Sequence, residues 1–95
     1  MSAEFESVFN HHERSVFEAV KASAPRYPHL ATRELLADIA CVALNRLPPR
    51  YIRHEVDFAF YLTDRERGEN ERATAEAVAY GFEFVQARLA MRARA

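Results

Sequence analysis

Arg46, Arg50 and Arg53 fall within eight positions, with Tyr51 among them and Pro48-Pro49 between the first two. A guanidinium offers a planar fork of donors that suits phosphate oxygens, pairs with the O6/N7 edge of guanine, or stacks on a base. Tyr51 adds an aromatic face. The double proline fixes two φ angles and keeps the turn stiff. The stretch Asn45–Arg53, NRLPPRYIR, therefore has the composition of a site for a small planar anion. The bland alternative is that the prolines only end a helix and the arginines are solvated. Both readings follow from the same spacing.

The remaining reactive side chains give less. His11 and His12 are adjacent, so on a helix they point about 100° apart and cannot chelate one metal from one face. His12 falls on an apolar stripe and reads as a packed core histidine. The single cysteine, Cys41, allows no internal disulfide and no cysteine-based zinc cage. Beside Val42 and Leu44 it reads as a buried, inert thiol. Glu55, Asp57 and Asp64 are expected in salt bridges with Arg53 or Arg65. The only glycines are Gly68 and Gly81, so there is no glycine-rich phosphate loop. No nucleophile–base pair is apparent, and no enzyme is expected.

Ninety-five residues, 49% hydrophobic and 28% charged, fit one folded domain spanning residues 1–95. The net charge of −1 argues against general binding to duplex DNA, which requires a basic face. No apolar run approaches membrane-spanning length. The opening MSAEFESVF is acidic and amphipathic rather than a signal peptide, so a cytoplasmic location is expected.

Four segments must position the arginines. Phe5, Phe9, His12, Val16 and Val20 recur at helical spacing and predict a helix from about Ala3 to Ala24. Pro25 and Pro28 end it. Thr32 is a suitable N-cap for a second helix, whose limit is Leu47, the residue before a proline. Residues Arg50 to Leu62 alternate, with Ile52, Val56, Phe58, Phe60 and Leu62 on one parity, and read as a half-buried strand. A helical alternative stays open for Val56 to Leu62. Thr63-Asp64-Arg65-Glu66 has the form of a capping box and begins a final helix of about 28 residues, or about 42 Å. From Ala75 it carries two stripes. Ala75, Val78, Phe82, Val85 and Leu89 are expected in the chain's own core. Ala77, Tyr80, Phe84, Ala87 and Met91 are expected against a partner. Gly81 in mid-helix suggests a close backbone approach at a helix crossing. Arg88, Arg92 and Arg94 complement the helix dipole, which accounts for them. A lone strand leaves unpaired edges. The expected fold is α+β, mostly helical, with three or four helices and one short strand per chain, the strands paired across a homodimer.

The run Ala43-Leu44-Asn45-Arg46-Leu47-Pro48-Pro49-Arg50-Tyr51-Ile52, preceded by Asp38-Ile39, resembles the signature of the late-competence ComFB family. The continuation from Arg53 to Leu62 is similar to the proteobacterial branch. The match is specific over roughly Leu36 to Arg67 and looser in the first and last helices. The resemblance implies a small helical domain with a short strand, usually dimeric, tied to competence, motility or surface behaviour. Some members, especially cyanobacterial ones, are cyclic dinucleotide receptors. Some branches carry cysteines ahead of the Asp-Ile, for zinc; here Tyr27 to Ala37 has none, so no metal or other cofactor is implied. The Arg46–Arg50 pair has the Arg-x-x-x-Arg spacing of PilZ-type receptors, but the accompanying Asp-x-Ser-x-x-Gly is absent, and no PilZ domain is read.

Two functions compete. In the first, a cyclic di-GMP receptor, Asn45, Arg46, Arg50, Tyr51, Arg53 and Asp57 form the binding set. The arginines hold phosphates or guanine edges, Tyr51 stacks, and Asp57 accepts from a guanine. A two-fold ligand suits a two-fold dimer, which signals to a protein partner. In the second, NRLPPRY is a structural turn and the aromatic face of the last helix recruits another protein.

Overall fold

The computed structural model describes residues 3–94. Its longest element is the last helix, and the reason lies at its start. The Thr63 hydroxyl accepts from the Glu66 N–H at 3.1 Å, the N-cap half of the expected capping box. From there α4 runs unbroken from Asp64 to Arg94, 31 residues or about 46 Å. Neither Gly68 nor Gly81 interrupts it.

Helix α2, Arg33–Arg46, also begins and ends as its sequence directs. Thr32 caps it by accepting from the Leu35 N–H at 3.2 Å. Leu47, ahead of Pro48, leaves the helix for extended backbone. The two helices cross closely at Gly81. A Cβ there would stand 2.8 Å from the Ile39 carbonyl oxygen, so the expected close approach is present.

The first segment differs from the expectation. Its helix, α1, covers only His12–Ser23. Ahead of it lie a 3₁₀ turn, Phe5–Ser7, and a short strand β1, Phe9–Asn10. The helical spacing of Phe5 and Phe9 is real, but the backbone between them serves the sheet. Two further 3₁₀ turns, Ala24–Arg26 and Pro28–Leu30, use the prolines at their first turns and lead into α2.

The third segment is corrected more strongly. Only Tyr51–Ile52 is a strand, β2, and Glu55–Tyr61 forms a short helix, α3. The spacing Val56–Phe60 suits a helix face as well as a strand parity, and the helical alternative is the one adopted. β2 pairs antiparallel with β1, Phe9 opposite Ile52 and Asn10 opposite Tyr51. Among the described residues there are therefore two strands rather than one. The strand finds its partner within the chain, so it does not require a second copy. The mostly helical α+β class stands.

The core lies where α1, α2 and α4 meet. Val16 and Val20 enter from α1, Ile39 and Ala43 from α2, Phe82 and Val85 from α4. Tyr27, from the connection, stacks on Phe82 with ring centroids 4.4 Å apart and planes 14° from parallel. The same connection is fastened to α4 by the His29 ring nitrogen, 2.9 Å from Gln86 Oε1.

The buried face of α4 reads Thr74, Ala77, Val78, Gly81, Phe82, Val85, a 3-4 spacing. It keeps Val78, Phe82 and Val85 of the stripe expected in the core, with Leu89 packed against them, and takes in Ala77 from the other. Ala75, assigned to the core, is exposed, and Ala77, assigned to a partner, is buried. Phe84 and Met91 remain exposed as expected, while Tyr80 is half-buried.

Candidate functional site

The segment after α2 is held by one side chain, Asn10. It is buried, and its Oδ1 accepts from the His12 N–H and from the Arg50 N–H, each at 3.2 Å. The His11 N–H adds a bond to the Arg50 carbonyl at 2.7 Å. A single amide thus caps the entry to α1 and fastens the chain just beyond Pro48-Pro49. The signal was present in the sequence, since Asn10 is followed three residues later by Glu13, the spacing of a capping box. The assumed helix through residue 10 concealed it.

The residues expected to form the anion site are adjacent in sequence but diverge in space. Asn45 turns back along α2, its Nδ2 donating to the Cys41 carbonyl at 3.0 Å. The Arg46 guanidinium lies over the Tyr80 ring of α4, 4.0 Å from its centroid. The Arg50 guanidinium lies over the Phe58 ring of α3 at 4.4 Å. Arg53 reaches the N-terminal segment, donating to Ser7 Oγ at 3.1 Å and Glu4 Oε2 at 3.0 Å. Tyr51 is 67% exposed. Asp57 is exposed on α3 and forms no ion pair among the described residues. The three cations therefore rest against three different elements, each with its own partner.

Phe58 is the pivot of this region. The His11 ring packs on it with centroids 4.4 Å apart, and Arg50 lies over it as well. Burial lowers the His11 pKa below its usual 6.5, and the neighbouring His12 and Arg50 act in the same direction, opposed by Glu55. Burial also lowers the His12 pKa, with Arg50 adding to it and the Pro48 carbonyl offsetting part. Both imidazoles are therefore held toward the neutral form. His12 is half-buried beside this junction rather than deep in the core.

Three smaller expectations are corrected. The Cys41 thiol is exposed, not buried, because its position on α2 faces the groove between α1 and α2. Of the three acidic residues, Glu55 and Asp64 are ion-paired, but with other cations, Arg14 and Arg67, each at 3.5 Å, and Asp57 has no ion pair among the described residues. Arg65 pairs instead with Glu69, one turn on, at 3.0 Å. Arg88 does more than complement a dipole, since it approaches Asp38 to 3.6 Å and links α4 to α2.

What the arrangement offers outward is apolar. Helix α3 has no buried residue. Val56 is 82% exposed, Phe60 83% and Tyr61 79%, so three large apolar or aromatic side chains face outward from one short helix. The helix is retained by Phe58, by the Arg14–Glu55 pair, and by Arg67, which donates to the Ala59 carbonyl at 2.9 Å. Among the described residues, no three His, Cys, Asp or Glu side chains are grouped to hold a metal, and no helix is long and apolar enough to cross a membrane.

Neither the curated proteins nor the solved structures include a match to this chain. The family comparison does: residues 9–89 match the model of late competence development protein ComFB, from the strand β1 to the last turns of α4. The match takes in the whole Asn10 junction, the Pro48-Pro49 turn and the exposed helix α3, and the chain belongs to the ComFB family.

Proposed function

We propose that this chain is a non-enzymatic adaptor of the cytoplasm that acts in competence or motility by protein–protein contact through α3. The observation that carries this is the exposure of Val56, Phe60 and Tyr61 on one short helix. Phe84 and Met91, exposed on α4, provide a second apolar surface. In this reading the chain is a homodimer, and the surface left after dimerisation meets a further protein. The arginines of NRLPPRY then shape the turn: each is already engaged, Arg46 by Tyr80, Arg50 by Phe58 and Arg53 by Glu4.

The test is the double variant Phe60→Ser/Tyr61→Ser. Its melting temperature should match that of the parent, because both side chains are exposed. Self-association in sedimentation velocity, or capture of the parent's protein partners, should be lost. A variant that assembles and captures as the parent does would remove the basis of this reading.

A second reading, a cyclic di-GMP receptor at a homodimer, is favoured by one observation. Tyr51 is 67% exposed with Arg50 and Arg53 close by in the chain, a stacking face flanked by cations. Thermal-shift and calorimetric titrations with cyclic di-GMP, cyclic di-AMP and GTP test it. At 100 times its dissociation constant a ligand stabilises a fold by about 2.7 kcal/mol. A shift with cyclic di-GMP that disappears in Arg50→Ala and Tyr51→Ala supports the receptor. No shift with any nucleotide leaves the adaptor reading.

A further inference from the structure

Helices α1 and α2 are joined by a short connection and pack side by side, yet they leave an open groove of about 750 Å³ along their outer face. That volume lies within the roughly 300–1,000 Å³ typical of small-molecule sites. Its walls are almost wholly apolar. Phe17 stands on the α1 side, and Leu36, Ala40 and Leu44 succeed one another along α2. Cationic side chains enter it from only two positions. Lys21 belongs to the last turn of α1 and Arg33 is the first residue of α2, so both lie at the end where the connection joins the helices. No carboxylate lines the groove, and among the described residues neither cation has an acidic partner within 4.0 Å. From Arg33 to Leu44 the floor extends about 16 Å along α2.

We propose that this groove binds a single-chain amphiphile, a free fatty acid, with its carboxylate at Lys21 and Arg33 and its alkyl chain along Leu36, Ala40 and Leu44. Charge at one end and hydrocarbon walls over the rest match a molecule with one anionic head and one tail. An acidic amphipathic helix would carry its charges along both flanks, and the groove has no cations along its length to meet them. The site is separate from α3 and from the arginines of NRLPPRY, and does not depend on the adaptor reading.

The groove contains its own reporter, since Cys41, the only cysteine of the chain, is exposed on its wall. The experiment titrates the intact chain with laurate below its micelle concentration. Calorimetry follows binding, and the rate of Cys41 modification by a disulfide reagent follows occupancy. Saturable binding of one laurate per chain, with slowed modification of Cys41, is expected. A charge-assisted contact of ordinary strength corresponds to about a tenfold change in affinity. Dodecanol should therefore bind about tenfold more weakly than laurate, and Lys21→Ala/Arg33→Ala should weaken laurate by at least that factor while leaving dodecanol unchanged. Ala37→Phe, at an exposed position of the wall, should abolish binding of both with the circular dichroism spectrum retained. Failure of laurate to bind or protect Cys41 overturns the proposal. So does equal binding of laurate and dodecanol to the parent chain. Protection of Cys41 by an acidic amphipathic peptide, with none by laurate, overturns it in favour of a peptide groove.

Discussion

Gly81 of α4 lies directly against the Ile39 carbonyl of α2, where a Cβ would come within 2.8 Å of the oxygen and 3.2 Å of Ile39 Cγ2. The oxygen belongs to a helix backbone and cannot swing aside. Alanine at an open helix position gains up to about 1 kcal/mol over glycine. Here that gain is outweighed by overpacking, which costs about 1–3 kcal/mol. Gly81→Ala should lower stability in urea denaturation. Gly68→Ala is the internal control, since its Cβ would meet only the end of the flexible Arg72 side chain at 3.6 Å, and it should raise stability.

Asn10→Ala removes the acceptor of two backbone N–H groups, His12 and Arg50, at a buried position. Both bonds are only part-buried, so each contributes about 0.5–1.5 kcal/mol, and the loss should appear as a lowered denaturation midpoint. Amide exchange should accelerate at Arg50 and at the first turn of α1 before it does in α2.

Acid should weaken the fold through His11 and His12. Both have pKa values lowered in the folded state, so between the folded values and the unfolded value of 6.5 the unfolded chain binds more protons. Their contribution is complete above about pH 6.5 and is lost as the pH falls through the folded pKa values. Denaturation midpoints should be flat from pH 8 to 7 and decline toward pH 5. The decline should be shallower in His11→Gln and His12→Gln, and an unchanged slope in both would refute the assignment.

Phe58→Ala should free α3 without unfolding the remainder. The helix has no buried residue, and Phe58 is the side chain gripped by His11 and Arg50. Hydrogen exchange should quicken over residues 55–61, while α2 and α4, which share the Ile39–Phe82 core, keep their protection.

Elements governed by local chemistry were readable in the sequence. Thr32 and Thr63 cap helices, Leu47 leaves one ahead of a proline, and Gly81 marks a crossing. The errors came from elements shaped by distant partners. Phe9 and Asn10 continue a helical spacing, but they pair with Tyr51 and Ile52 more than forty positions away. The alternation from Ile52 to Leu62 satisfies a strand and, at Val56–Phe60 and Phe58–Leu62, a helix, and short apolar runs carry both periods. The partners that the three arginines take were not legible for a related reason. Spacing along a chain that passes from a helix through two prolines to a strand says which residues are near each other, and leaves their directions open. Tyr80, Phe58 and Glu4, which take up the three guanidiniums, come from three other parts of the chain.

The pairing of β1 with β2, together with the Glu4–Arg53 and Ser7–Arg53 contacts, has a practical consequence for handling the protein. An affinity tag at the N-terminus leads into Glu4, the partner of Arg53, close in the chain to the exposed Tyr51 of β2. A tag following α4 leaves from the far end of a helix whose last turn lies outside the core. Binding measured with the two placements can differ for steric reasons alone, and C-terminal tagging is the placement that keeps the Tyr51 edge open.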